Sequence, residues 1–510
     1  MKRRHLLGLG TGAVGAGLWL PTGGLWAATP GVDAPPEPQP PRPVLMPALH
    51  TQRLDNGLTV ITAPRHDLPL VSAVLVLRAG SENDPAGRPG VAAMTATLLA
   101  KGARRGGRAV DASTLARQAE ALGSALDTAS GQRSLSLAMT VARPSLEAAL
   151  ALMADVLRTP LLDAGELERA RAQALDGLRL TLNDPGALAG LVLRRCHWGP
   201  TPHGAVVAPA SLQRLGVADV RGFHARWVRP ELCALVLAGD VTPAQAAVLA
   251  RQLLGGWRGA GALPEPPRLQ PPQSLAERLV LVDLPGAGQS GVAVAAPFVA
   301  QRGPLAESDW RAEADAPPSE QRIGQVAAAV LGGGYSARLN QEVRIKRGLS
   351  YGASASAEST PVGGMLQAQT QTDHRTAAEV LGLLRSEIGR LATAAPTPAE
   401  LAARQATLVG GFARRLETSG SVAGMLLAQW VNQRPLAELQ RSVPEILAVT
   451  PEQVAAFAAR HWREPDLRAV VVGQLEAAGT ALTGEAGARR LPATALDLEA
   501  PNLVAEAARR

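Results

Sequence analysis

Residues Gly332 to Tyr351, GGGYSARLNQEVRIKRGLSY, are too particular in type and spacing to be scaffold alone. Three consecutive glycines, Gly332, Gly333 and Gly334, let the backbone turn tightly and approach other groups closely. No GK[ST] follows them, so they do not form a phosphate loop. Ala337 to Arg347 then predicts a helix with Leu339 and Val343 four apart on one face. Arg344 and Arg347 crowd its end, Gly348 stops it, and Tyr351 begins an alternating small-residue run that suits a strand. Both of the protein's tyrosines fall in this segment. The side chains alone leave two readings open. One is a site that contacts a ligand; the other is a basic helix end, where arginine and lysine complement the helix dipole without a further role.

The elements that must position this segment belong to a chain of 510 residues, 46% hydrophobic and 19% charged, ample for more than one packed domain. Basic residues are scattered and no aromatic-interleaved basic stripe occurs, which excludes a nucleic-acid partner. Met1 to Ala28 carries Lys2, Arg3 and Arg4, then LLGLGTGAVGAGLWLP, then small residues at Ala27 and Ala28, the pattern of an export signal. Arg3-Arg4 before a glycine-rich, moderately apolar core is closer to a twin-arginine signal than to a general secretory one, and the expected location is the periplasm. The apolar run is short and broken by Pro21, so no stable membrane span is expected there or elsewhere. With Lys2, Arg3 and Arg4 removed, the formal charge falls from +7 to +4. Cys196 and Cys233 read as buried small hydrophobes, although export leaves a disulfide between them open. Cys196-His197, His203, His224 and His461 form no HxxEH, HxH or Cys/His cluster, so no metal site is expected in this chain.

In chain order, Thr29 to Ala48 is a proline-rich leader. LTVITAP and VSAVLVLRAGS predict strands, Ala112 to Leu126 a helix, Ser134 to Val141 a half-buried strand, and Pro144 to Arg158 and Glu166 to Leu182 two further helices. Ala300 to Gln321 is polar and reads as a mobile surface loop. Phe223, Arg226 and Gly239 have counterparts Phe457, Arg460 and Gly473 at a constant offset of 234, as do Glu166-Leu167 and Glu400-Leu401. A duplication follows. The fold class is therefore α+β: a signal (1–28), the leader (29–48), a first half (49–258), a Pro/Gly linker (259–273), a second half (274–480) and a tail (481–510). Two such halves facing each other would enclose a cleft.

The segment GGGYSARLNQEVRIKRGLSY follows, nearly position by position, the GGGxSSRLxxExRxxxGLxY pattern of the pitrilysin/insulinase family of zinc peptidases, which the chain resembles over roughly residues 50 to 475. The resemblance continues at NDPGALA (Asn183 to Ala189), GPTPHG (Gly199 to Gly204), LAGDVT (Leu237 to Thr242) and DLPGAGQS (Asp283 to Ser290). It implies two α/β-roll halves in tandem that form a clamshell around an extended peptide, and it implies that Arg344 and Tyr351 contact substrate near the scissile bond, with Gly332 to Gly334 approaching substrate or partner. The departure lies in the first half. Where the family carries a GxAHFLEHMLFKGT helix, this chain has GVAAMTATLLAKGA from Gly90 to Ala103. Ala93 and Thr97 stand at the two histidine positions, Ala96 at the general base, and Gly177 at the third ligand, a glutamate. Alanine and glycine offer no side-chain donor and a lone threonine hydroxyl is a poor zinc ligand.

The resemblance then implies no catalytic residue and no cofactor in this chain, with zinc on a partner. It implies a non-catalytic subunit of the processing-peptidase-like branch, which pairs with a homologous HxxEH-bearing subunit and supplies Arg344 and Tyr351 to a composite site on an extended peptide. The alternative is an inactive peptide-binding or scaffold protein of an envelope assembly.

Overall fold

The computed structural model describes residues 46–303, 317–485 and 487–504. The expected export signal, nearly all of the expected leader, most of the expected surface loop between Ala300 and Gln321, and the end of the tail lie outside the described residues.

Strands arise where the sequence alternates or is apolar throughout. The first half carries β1 (His50–Arg53), β2 (Thr59–Pro64), β3 (Leu70–Leu77), β4 (Gly102–Arg105), β5 (Arg108–Asp111), β6 (Asp127–Ser130), β7 (Leu135–Ala142) and β8 (Cys233–Gly239). The second carries β9 (Leu279–Asp283), β10 (Ser290–Phe298), β11 (Ala353–Thr360), β12 (Gly363–Thr372), β13 (Arg468–Gly473) and β14 (Ala488–Pro492). Strand β7 buries Leu135, Leu137, Met139 and Val141 and leaves the residues between them partly open, the signature of a sheet with one dry face. Central β8 is buried at every position.

The first sheet runs β1-β2-β8-β3-β7-β6 and the second β14-β9-β13-β10-β12-β11. Without the outermost β1 and β14, the two orders match strand for strand. Within these five matched strands each sheet has one parallel pair, β2 with β8 and β9 with β13, and is antiparallel in its other pairings, while the outer β14 adds a second parallel pairing to β9. The offset of 234 residues seen in the sequence is thus a repeat of topology.

Helices α1 (Val91–Leu99), α2 (Ala112–Glu120), α3 (Leu146–Arg158), α4 (Ala164–Asn183), α5 (Pro185–Trp198), α6 (Pro209–Arg214), α7 (Val217–Trp227) and α8 (Pro243–Leu254) follow in the first half. The second half has α9 (Glu320–Gly332), α10 (Ala377–Thr393), α11 (Pro398–Arg415), α12 (Ser419–Val431), α13 (Ser442–Ala448) and α14 (Pro451–His461). Helix α2 stops short of the expected Leu126 because the chain turns at Ala121 to Gly123, where Gly123 takes a φ of +77°.

One face of each sheet packs on helices of its own half. Leu75, Leu77, Leu137, Leu235 and Leu237 join α1, α3 and α7 in one core, and Val294, Ala296, Leu366 and Val471 join α9, α10 and α14 in another. The opposite faces are covered by exchange. Helix α5 of the first half packs Leu188, Val192, Leu193 and Cys196 on Val280, Ala293, Ala295 and Val470 of the second sheet. Helix α12 of the second half packs Val422, Met425 and Leu426 on Ile61, Val74, Val76 and Val236 of the first. At about 1.5–3 kcal/mol for each fully buried large aliphatic side chain, this exchange locks the halves together.

The linker Gly259 to Gln273 has no regular structure and is fixed at its end, where the Gln273 and Leu275 amides donate to Trp198 and Cys196 carbonyls at 3.3 and 2.8 Å. Cys196 and Cys233 are free, buried thiols rather than a disulfide. Burial pushes the Cys196 thiol up to about 12 and Cys233 upward as well, which leaves both without thiolate character. Among the described residues no helix is long and apolar enough to cross a membrane.

Candidate functional site

The segment after α9 is built differently from a plain helix. A single α-turn, Arg338–Asn340, runs into a π-turn, Gln341–Ile345, closed by the Lys346 amide on the Gln341 carbonyl at 3.0 Å. The expected continuous helix from Ala337 to Arg347 is therefore replaced by a short helix with a widened turn, a feature frequent at functional sites. Leu339 and Val343 are fully buried in the second core, as their spacing predicts. Gly348 ends the turn at φ +65°. Its amide donates to the Arg344 carbonyl at 2.9 Å, the single bond of an αL cap, and the Leu349 amide reaches back to the Val343 carbonyl at 2.8 Å. Tyr351 lies two residues before β11 rather than within it, and 88% of it is exposed.

The basic residues of this turn have unequal surroundings. Lys346 and Arg347 both pair with Glu342, whose carboxyl these partners hold below its ordinary range. Arg338 is buried and forms a two-pronged pair with Glu400 at 2.7 and 3.1 Å. Arg344 pairs with no carboxylate among the described residues. Its guanidinium lies over the ring of Tyr351 at 4.6 Å and over that of Tyr335 at 4.8 Å. A guanidinium stacked on aromatic rings keeps its in-plane N–H groups free to donate.

The glycines hold this turn against the sheet. A Cβ on Gly332 would lie 2.1 Å from the Ala355 amide nitrogen of β11. Gly334 takes a φ of +151°, and a Cβ there would meet the Arg404 guanidinium at 2.8 Å. Asn340 ties the two ends together: its Nδ2 donates to the Gly334 carbonyl at 3.1 Å and its Oδ1 accepts from the Ala353 amide at 2.8 Å. Sequence reading missed Asn340 and Tyr335, both inside the segment it singled out. The signal for Tyr335 was present, since it is one of only two tyrosines.

The other set of residues lies in the first half. Helix α1 begins at Gly90, at φ +101°, and its first amides are capped from a distance by Asp84, which accepts from Gly90 and Ala92 at 2.7 Å each. Burial raises the Asp84 carboxyl to about 6 against the lowering effect of those two bonds. Val91, Ala92, Met94, Thr95, Ala96, Leu98 and Leu99 are buried, which leaves Ala93 and Thr97 exposed one turn apart. The Thr97 hydroxyl is spent on the Ala93 carbonyl at 3.1 Å. Gly177 lies on the exposed side of α4, the helix packed beside α1, and edge strand β6 runs along α1 as well. Ala93 and Thr97 are open on α1 and Gly177 on α4, whereas Ala96 is buried, and none of the four side chains carries a nitrogen, sulfur or carboxylate. Among the described residues no group of three or more His, Cys, Asp or Glu side chains could hold a metal ion. The two sets belong to separate cores, Ala96 to the first and Val343 to the second.

Fold and site together define a tandem α+β-roll protein whose helix α1 exposes only Ala93 and Thr97. A family model described as insulinase (peptidase family M16) matches residues 59–179, and one described as peptidase M16 inactive domain matches residues 214–408. Between them they take in more than half of the chain, which belongs to the insulinase family, M16. An uncharacterized zinc protease of Mycobacterium leprae is 25% identical over 315 residues, 61% of this chain and 67% of that one. The non-peptidase homolog YmxG of Helicobacter pylori is 23% identical over 430 residues, 83% of this chain and 94% of its own. The fold matches the crystal structure of a peptidase M16 inactive domain from Pseudomonas fluorescens with a TM-score of 0.73 at 24% identity, covering 83% of this chain and 98% of that one. It also matches a protease from Helicobacter pylori with a TM-score of 0.74 at 18% identity, covering 84% and 100%. The protein is an M16 homologue whose donor-free helix face is consistent with a non-catalytic role.

Proposed function

We propose that the chain is the non-catalytic, substrate-binding subunit of a periplasmic heteromeric zinc endopeptidase, exported by a twin-arginine signal. The observation that carries this reading is Arg344, without a carboxylate partner among the described residues and stacked on two exposed tyrosines, in a chain with Ala93, Ala96, Thr97 and Gly177 at the positions expected to hold the metal and the base. Hydrolysis belongs to a homologous partner with HxxEH and zinc. This chain's residues bind and orient. An extended peptide adds to a sheet edge, main chain to main chain, and β6 and β11 are such edges. Arg344 and Tyr351 then donate hydrogen bonds to the scissile carbonyl oxygen as it gains charge, an effect of about 3 kcal/mol per donor in comparable sites. A chain kept only as scaffold would have no use for a ring-stacked arginine with no carboxylate partner among the described residues.

The test is to recover the chain from native periplasm and identify its companions by mass spectrometry. A stoichiometric HxxEH-bearing chain is expected. Recovery alone, or with unrelated envelope proteins only, would remove the catalytic reading and favour the scaffold alternative.

A further inference from the structure

Tyr335 is absent from the donor pair just described, yet the structure places it as deliberately as Tyr351. Both rings are largely open to solvent, 61% and 88% exposed, so neither is there to fill the core. They approach the same guanidinium, at 4.8 and 4.6 Å, while Glu342 takes up the neighbouring Lys346 and Arg347. The loop bearing Tyr335 is held in place. Asn340 bonds the Gly334 carbonyl on one side and the Ala353 amide on the other, and Arg404 donates to the Ser336 hydroxyl. The two tyrosine-bearing turns are therefore braced through one side chain, with Arg344 stacked on both.

We infer that Tyr335 is a positioning residue. With Tyr351 it steadies the Arg344 guanidinium so that its in-plane N–H edge meets a carbonyl or carboxylate oxygen of an extended peptide, and its open ring gives an apolar side chain of that peptide a surface to lie on. This inference rests on the composite-site reading and adds a third residue to it.

Because the protein has only two tyrosines, labelling the full chain with 3-fluorotyrosine gives two fluorine resonances, and both report on this site. Arg344→Ala should move both. Binding is read with fluorescein-labelled β-casein as an unfolded, extended probe. Tyr335→Ala should weaken it about three- to tenfold, the range of a partly exposed cation–π contact, whereas Tyr335→Phe keeps the ring and should stay within about twofold of wild type. Tyr335 is exposed, so both variants should fold, and an unchanged melting temperature checks this. If Arg344→Ala weakens binding but moves only the Tyr351 resonance, and Tyr335→Ala binds like wild type, the role of Tyr335 is overturned and the composite site stands. If Arg344→Ala also binds like wild type, both readings fall.

Discussion

The exposed face of α1 and the turn at Arg344 lie in corresponding halves of one repeated topology, yet they have opposite chemistry. On α1 the backbone is intact: a positive-φ glycine starts the helix, Asp84 caps it and its apolar side is fully packed, while the open positions Ala93 and Thr97 carry nothing that binds a cation. At Arg344 the backbone departs from regular helix into a π-turn, and the side chains it exposes are an arginine and two tyrosines. Packing and chemistry are separable. A buried helix face is maintained by the fold whatever its outer residues do, whereas an exposed aromatic–cation cluster contributes little to the core and has to be explained by what it contacts.

Putting ligands back on α1 is the largest way to break this contrast. Ala93→His, Thr97→His and Gly177→Glu place two imidazoles one turn apart beside a carboxylate on exposed positions, and the triple variant should bind zinc with micromolar or better affinity, about 8 kcal/mol, by titration calorimetry. Failure of the folded variant to bind would mean that α1 and α4 no longer hold the geometry of a metal site. Next in size is Gly332→Ala. Its Cβ would lie 2.1 Å from the Ala355 amide nitrogen, so α9 must move from β11, at a cost of about 1–3 kcal/mol in chemical denaturation. A neutral result would show that the glycine run is not needed to seat the Arg344 turn on the sheet.

The smallest effect concerns the seam that joins the halves. His203 is buried, stacked on Trp198 at 4.8 Å, and burial lowers its pKa to about 4; His197, bonded to the Gly364 carbonyl at 3.0 Å, is likewise held at about 4. The unfolded chain protonates a histidine near pH 6.5, before the folded chain can, so stability from each neutral imidazole is complete above about pH 6.5 and is lost as pH falls towards 4. His203→Phe retains an aromatic ring without the titration. Wild type should therefore lose stability relative to this variant as the pH is lowered from 7 to 5, and parallel melting curves at both pH values would contradict a neutral His203.

Much of this was legible beforehand because it depends on local pattern. Alternation at Leu135, Leu137 and Met139 marks a one-sided strand, and the four-residue spacing of Leu339 and Val343 marks a buried face. The offset of 234 residues announced two sheets of one topology. What was hidden is non-local. Nothing in the sequence of α5 or α12 shows that each covers the other half's sheet, because an apolar helix face does not name its partner. The π-turn was hidden because Gln341 to Ile345 suits an α-helix equally well, and Asn340 because its two bonds join segments that are brought together only by the fold.

The central claim is that Arg344 and Tyr351 act on a substrate cleaved by another chain. The most direct test is the rate of peptide hydrolysis by the co-purified complex carrying Arg344→Ala or Tyr351→Phe, with assembly checked by mass. The prediction is an intact complex whose kcat falls about 100-fold for each lost donor. Unchanged turnover in both variants would contradict it.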